Sequence, residues 1–425
     1  MQRVAITGVG LVTPLGLTAA ENVARSRVDE SGIGPARAFA VEGHAAQALA
    51  TVAAFDVEPF LRFPKNSKFM GRAVQFAMRA AHEAIAQSGI DPRKMDASRV
   101  GVQVGSGQTG VEYDHFFPSL IMAWDAGREM DYKYLGGLPS HLIDRYICLR
   151  TLANGGLALL STEFGIRGPN GNFAQKDTAS AQAVQAAYLD LLEDRCDVAV
   201  AGGYDSLATT GNFLAYEQAG LLSHADPADA YRPFDERADG LVLGEGAGFL
   251  VLERWEHAVA RGATILGEFW GAGSAMGASE EWRPAWTPEA ICQAAREALG
   301  DARPDFVVAS GMGTVEEDRA ESVALAAIAG MAGGRAPVTA FKSRTGYMGA
   351  GTAAVELGLG LLCARQGFVP AIARHTQSSA GGALDALDLV SGGPHPLAES
   401  QPLGLFLSCS WGGAVASLAA RAMRA

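Results

Sequence analysis

The apolar residues of this chain come in short β-branched runs that close on glycines. Such runs are buried as strands of a sheet covered on both faces. Val4-Ala5-Ile6-Thr7-Gly8-Val9-Gly10 is the first, Val100 to Val104 runs into Gly105-Ser106-Gly107, and Asp197 to Ala201 runs into Gly202-Gly203. Between them lie helical patterns. Arg72 to Ala86 is amphipathic and is stopped by Gly89 with Pro92 beyond it, and Thr178 to Leu192 is alanine-rich. Near residue 260 the pattern restarts. Ile265 to Gly273 echoes the opening strand, Phe306 to Ala309 the strand at 100–104, and Gly346 to Leu362 the helix that begins at Thr178. The expectation is a duplicated α/β unit with a largely buried mixed sheet in each half, 1–260 and 261–425. Residues 108–140 are less regular and carry Tyr113, Phe116, Phe117, Trp124, Tyr132 and Tyr134, which suggests a cap or an interface within about 108–160.

Charge and composition remove several function classes. With 34 Lys+Arg against 46 Asp+Glu the net charge is −12, spread without a long like-charge block, so a nucleic-acid partner is not expected. No run of ~18 apolar residues predicts a membrane span. The opening residues lack the pattern of a signal peptide, so the expected location is cytoplasmic. Cys148, Cys196, Cys292, Cys363 and Cys409 are scattered without a CxxC pair, which implies neither a disulfide framework nor a metal site. No GxxxxGK[ST] loop occurs, and Gly8-Val9-Gly10 leads into Leu11-Val12-Thr13-Pro14, so no nucleotide is implied and no cofactor is expected. The GxSxG elbow of serine hydrolases is absent around Ser180.

Several longer stretches carry a resemblance. VAITGVGLVTPLG at 4–16, FGIRGPN at 164–170, DVAVAGGYDSL at 197–207 and YRPFDERADGLVLGEGAGFLVLE at 231–253 occur in that order, followed by KSRTGYMGAG at 342–351 and SWGG at 410–413. Together they resemble the β-ketoacyl synthase family, the condensing enzymes of fatty-acid and polyketide synthesis. The resemblance implies an α/β thiolase-like fold, with two similar halves in a five-layer α/β/α/β/α arrangement, and a two-fold dimer. The family's site holds a cysteine at the start of a buried helix, two histidines and a lysine. The cysteine accepts an acyl group from an acyl carrier protein, and the histidines stabilise the enolate formed as CO2 leaves.

Three of those four residues differ here. The nucleophile motif Thr-Ala-Cys-Ala reads Thr178-Ala179-Ser180-Ala181. The first histidine position falls on Ser310 of Ser310-Gly311-Met312-Gly313-Thr314, and the second on Tyr347. The lysine is kept as Lys342, its acidic companions as Asp318, Glu321 and Glu356, and the gate phenylalanine reads Trp411. The eight histidines, at positions 44, 82, 115, 141, 224, 257, 375 and 395, lie elsewhere.

A serine hydroxyl needs a neighbour to take its proton, and the candidate base is Lys342 with a pKa lowered by burial. Loss of oxyanion donors worth about 2.7–4 kcal/mol each slows condensation by several orders of magnitude. The leading expectation is a ketosynthase-like subunit that pairs with an active ketosynthase and shapes the acyl tunnel, as chain-length factors do. They carry glutamine at the nucleophile position, whereas here Gln182 lies two residues past Ser180. The alternatives are a Ser180-dependent acyltransferase or esterase on acyl-carrier thioesters, and a slow homodimeric synthase or decarboxylase using water or Tyr347. Fatty-acid, aromatic polyketide and polyene synthesis all fit.

Carrier proteins of this family are acidic, so docking calls for a local basic patch. Lys65, Lys68 and Arg72 fall where the resemblance places it, and a solvated helix face explains them equally well. Arg232 reads as a structural anchor. Reversing the charge of Lys65 and Lys68 together is expected to weaken carrier binding at low salt. An unchanged affinity removes that assignment.

Overall fold

A computed structural model describes residues 2–107, 131, 133, 146–277, 286–332, 335–378 and 382–424. Tyr113, Phe116, Phe117, Trp124, Tyr132 and Tyr134 of the expected cap lie outside the described residues. Eleven strands form one sheet: β1 (Val4–Val12), β2 (Val100–Ser106), β3 (Asn170–Phe173), β4 (Val198–Ser206), β5 (Glu245–Arg254), β6 (Gly267–Met276), β7 (Phe306–Val308), β8 (Pro337–Thr339), β9 (Asp388–Leu389), β10 (Leu403–Cys409) and β11 (Ala414–Ala422). Their spatial order is β9-β8-β7-β10-β11-β6-β1-β5-β4-β2-β3.

The order is a repeat about the centre. Outward from β1, the strands β5 and β4 pair antiparallel in turn, and β2 and β3 then join parallel. Outward from β6, β11 and β10 pair antiparallel and β7 and β8 join parallel. The two sets meet where Val4–Ile6 lies antiparallel to Gly267–Phe269. This is the physical content of the echo between the opening strand and Ile265–Gly273.

Helices fill both faces. The principal ones are α1 (Arg72–Ser88), α2 (Ala179–Leu192), α3 (Pro288–Leu299), α4 (Val315–Ala332) and α5 (Thr352–Arg365). Helix α1 packs on β1 and β5, and α3 on β6 and β11 with α4 outside it. Helices α2 and α5 touch each other and strands of both halves, which makes them the middle layer. That layer explains the composition of α5, which is buried over nearly its whole length. A helix with sheet on two sides has no solvent stripe to reserve for polar residues.

Glycine sets the spacing between layers. A Cβ at Gly10 would stand 1.9 Å from the Ala80 carbonyl oxygen of α1. On the inner face, a Cβ at Gly105 would stand 2.4 Å from the Ser180 nitrogen at the start of α2. Overpacking of this kind costs about 1–3 kcal/mol, so Gly105→Ala is expected to lower the denaturation midpoint accordingly. Gly34→Ala, with no heavy atom within 4 Å of its Cβ, is the control expected to change nothing. Equal midpoints for the two variants would contradict the close seating of α2.

Candidate active site

The residues singled out by the family motifs converge on the inner layer. Ser180 sits in the first turn of α2, Ser310 in the loop after β7, and Lys342 in a short helical turn after β8. Tyr347 follows that turn, and Trp411 lies between β10 and β11.

The Ser310–Thr314 loop is held by buried charges. Lys342 Nζ donates to the Ser310 carbonyl at 2.6 Å and pairs with Glu356 Oε1 at 3.1 Å. The Glu321 carboxylate accepts from the Ser310 and Gly311 amides at 2.6 and 2.8 Å. Asp318 accepts from the Gly313 amide at 3.0 Å and from the Phe234 amide at 2.7 Å, tying the loop to the 231–253 block. Gly311 and Gly313 have φ of +54° and +71°, a conformation that favours glycine, and a Cβ at Gly313 would stand 2.8 Å from the Tyr231 ring. Asp318, Glu321 and Glu356 therefore organise backbone and lysine.

Among the described residues no base is hydrogen-bonded to Ser180. Its side chain is wholly buried, and its only hydrogen bond among the described residues is accepted from the Ala354 amide at 3.1 Å. A Cβ on Gly203 would stand 2.6 Å from the Ser180 Cβ, so β4 closes against the side chain. To act as the base for Ser180, Lys342 needs a pKa lowered by burial. Burial does disfavour the ammonium, but Glu356, Asp177 and Glu321 outweigh it and the pKa is raised. A lysine held charged by carboxylates accepts no proton.

The two histidine positions take up other bonds. The Ser310 hydroxyl oxygen accepts from the Cys409 amide at 3.4 Å. Tyr347 is fully buried, and its hydroxyl donates to Asp177 Oδ2 at 2.7 Å. Burial, with Asp177 beside it, pushes the phenol well above its ordinary value, so it stays neutral. Trp411 is half-buried and packs against Tyr347 and Tyr216, with ring centroids 5.6 and 5.5 Å away.

Sequence reasoning missed three residues here. Asp177 lies one turn before Ser180, in the same short motif. Tyr216 comes from the helix Thr210–Gln218 and had no local signal. Cys409 is a buried thiol beside Ser310, and burial raises its pKa far above the ordinary range, so it stays a thiol.

The proposed docking residues divide. Arg72 forms a 2.6 Å ion pair with the buried Glu245 and donates to the Val52 carbonyl at 2.8 Å, so it is committed to holding β5 and the 48–52 segment. Lys65 and Lys68 are exposed, and the Lys68 ammonium lies 4.9 Å from the Phe69 ring centroid. Arg232 is buried and ion-paired with Asp229, as an anchor would be. A cavity of about 430 Å³ between α4 and residues 234–238 is lined by Asp318 and Arg319, and by neither Ser180 nor Tyr347. Among the described residues no cluster of His, Cys, Asp and Glu could hold a metal ion, and no helix is long and apolar enough to cross a membrane.

With this geometry in view, the likeness to known proteins is direct. Residues 1–258 match the family "Beta-ketoacyl synthase, N-terminal domain", and residues 266–376 match "Beta-ketoacyl synthase, C-terminal domain". The chain belongs to the β-ketoacyl synthase family. It is 32% identical over 378 residues to the tetracenomycin polyketide synthase ketoacyl synthase beta subunit of Streptomyces glaucescens, covering 86% of this chain and 87% of that protein. It is 30% identical over 376 residues to 3-oxoacyl-[acyl-carrier-protein] synthase 2 of Coxiella burnetii, covering 87% of each. Its fold superposes on the ishigamide ketosynthase/chain length factor with a TM-score of 0.84 at 26% identity, and on a β-ketoacyl synthase from Burkholderia phymatum with 0.85 at 26%, each over the whole of both chains. The ketosynthase fold and the relation to polyketide and fatty-acid synthases are thus established.

The buried carboxylates of this ketosynthase-like site set a pH dependence. Burial pushes Asp177 up to about 6, Asp205 and Glu356 to about 7, and Asp318 to about 8. The folded chain then holds protons that the unfolded chain has released, so stability falls as pH rises from about 6.5 to 8.5. His82 and His375, lowered chiefly by burial, act in the opposite sense below about 6.5, outside that window. Denaturation midpoints are expected to decrease most steeply at the lower end of the window and to level off above about 8, as Asp318 ionises. A flat or rising profile would contradict the assignment.

Proposed function

We propose that this chain is a ketosynthase-like subunit of fatty-acid or polyketide biosynthesis that does not itself condense. It pairs with an active ketosynthase and shapes the tunnel that holds the growing acyl chain. The reading takes the chain as two ketosynthase-like halves, 1–260 and 261–425, and an acyl carrier protein as the partner that delivers substrate, with Lys65 and Lys68 in its docking patch. One observation carries it: Ser180, at the nucleophile position, is hydrogen-bonded to a backbone amide, and Lys342 is held as an ammonium by Glu356. Among the described residues nothing hydrogen-bonded to Ser180 can take its proton, and the positions of the family's two histidines hold Ser310 and Tyr347.

Support comes from two relatives. The tetracenomycin protein is named as a ketoacyl synthase beta subunit, and the ishigamide structure as a ketosynthase/chain length factor. The Ser180-dependent acyltransferase reading requires a base that the geometry does not supply. Decarboxylation through Tyr347 requires a free donor, and this phenol donates to Asp177.

Co-expression with a ketosynthase that carries the Cys-His-His set tests the proposal. The two chains are expected to copurify in equal amounts and to elongate malonyl-loaded carrier protein, while this chain alone forms no condensed product. Condensation by this chain alone, or an active ketosynthase that never copurifies with it, would overturn the reading.

A further inference from the structure

Three aromatic rings from separate parts of the chain meet beside the helix that carries Ser180. Tyr216 arrives on the helix Thr210–Gln218, Tyr347 on the turn before α5, and Trp411 on the loop between β10 and β11. Their centroids lie 6.0 Å apart for Tyr216–Tyr347, 5.5 Å for Tyr216–Trp411 and 5.6 Å for Tyr347–Trp411, so each ring touches both others. The contacts are tilted, with interplanar angles of 49–59°. Rings packed this way leave no slot for an alkyl chain between them.

The middle ring is fixed by a bond that simple filling does not need. Tyr347 Oη donates to Asp177 Oδ2 at 2.7 Å, and Asp177 stands three residues before Ser180. Asp177 is itself buried, and its other oxygen, Oδ1, has no hydrogen-bond partner among the described residues. An orphaned buried carboxylate oxygen costs stability. A phenylalanine at 347 would fill the same volume but leave Asp177 Oδ2 without its donor as well, so the bond ties the ring to the segment just before Ser180 and orients it.

We propose that Tyr347, oriented by Asp177 and packed against Tyr216 and Trp411, is a plug that closes the space beside the start of the Ser180 helix to medium-length acyl chains. The inference rests on the reading that this chain carries no acyl group itself, and it names the residues that exclude one. In a pair, the growing chain is then directed into the ketosynthase, and this subunit contributes a closed wall.

The probe is octanoyl-pantetheine, a medium-chain thioester that needs no carrier protein. Its uptake is counted by titration calorimetry on the protein as purified, per copy of this chain and above whatever a copurified ketosynthase binds. The wild type is expected to take up none, and Tyr347→Ala one molecule per copy. Tyr347→Phe, which keeps the ring, is expected to bind at least about tenfold more weakly than Tyr347→Ala. Should Tyr347→Ala fail to fold by circular dichroism, Tyr216→Ala, at a half-buried position, is judged by the same criteria as Tyr347→Ala. Wild-type uptake of one molecule per copy, a folded alanine variant that takes up none, or equal binding by Tyr347→Phe and Tyr347→Ala would each overturn the plug. Pairing is read by copurification and condensation, so such a failure leaves the proposed function standing on its own test.

Discussion

The buried ammonium of Lys342 is the interaction on which the site's construction depends. It joins the Ser310 carbonyl, and through it the loop after β7, to Glu356 on the central helix α5. Removing an ion from water costs several kcal/mol even after relaxation, and removing one partner of a buried pair typically costs about 3–5 kcal/mol. Such a charge is kept only where bonds on several sides hold it. Here those bonds come from both sides of the central layer, so the loop, the lysine turn and α5 are ordered together.

The same cation explains what the site does not do. Only in a neutral form could Lys342 accept a proton. As an ammonium among carboxylates it is a structural cross-link, and the surplus of acids around it raises their own proton affinity in turn. Asp177, Asp205, Asp318 and Glu356 all lie above the ordinary carboxylate range because burial disfavours their charge more than one lysine and a set of backbone amides can offset. The frame that the family motifs lead one to expect is present around Lys342. A helix N-terminus, a glycine-bent loop and a lysine clamp remain, while hydroxyl and phenol groups are turned to hydrogen bonds within the protein.

Much of this was legible in the chain. Strand runs ending in glycine and the restart near residue 260 correspond to the repeated strand order about β1 and β6. Motif order singles out Ser180, Ser310, Lys342 and Tyr347 as candidates, because family motifs fix their place along the chain. What motif order does not show is which way a side chain turns or who meets it. The Tyr347–Asp177 bond spans 170 positions, and the Arg72–Glu245 pair that draws Arg72 inward spans 173. Tyr216 sits in a helix with no marking pattern. The protonation of Lys342 depends on three carboxylates, at 177, 321 and 356, brought together only by the fold. Spacing along the chain carries no information about any of these.

The central claim is that Ser180 is a packed residue and not a nucleophile. Intact-protein mass after incubation with acyl-loaded carrier protein, with wild type beside Ser180→Ala, tests it directly. The account predicts that this chain keeps its mass in both proteins. An acyl-sized gain in the wild type that is absent from Ser180→Ala would contradict it, and would make this chain an acyl-holding enzyme.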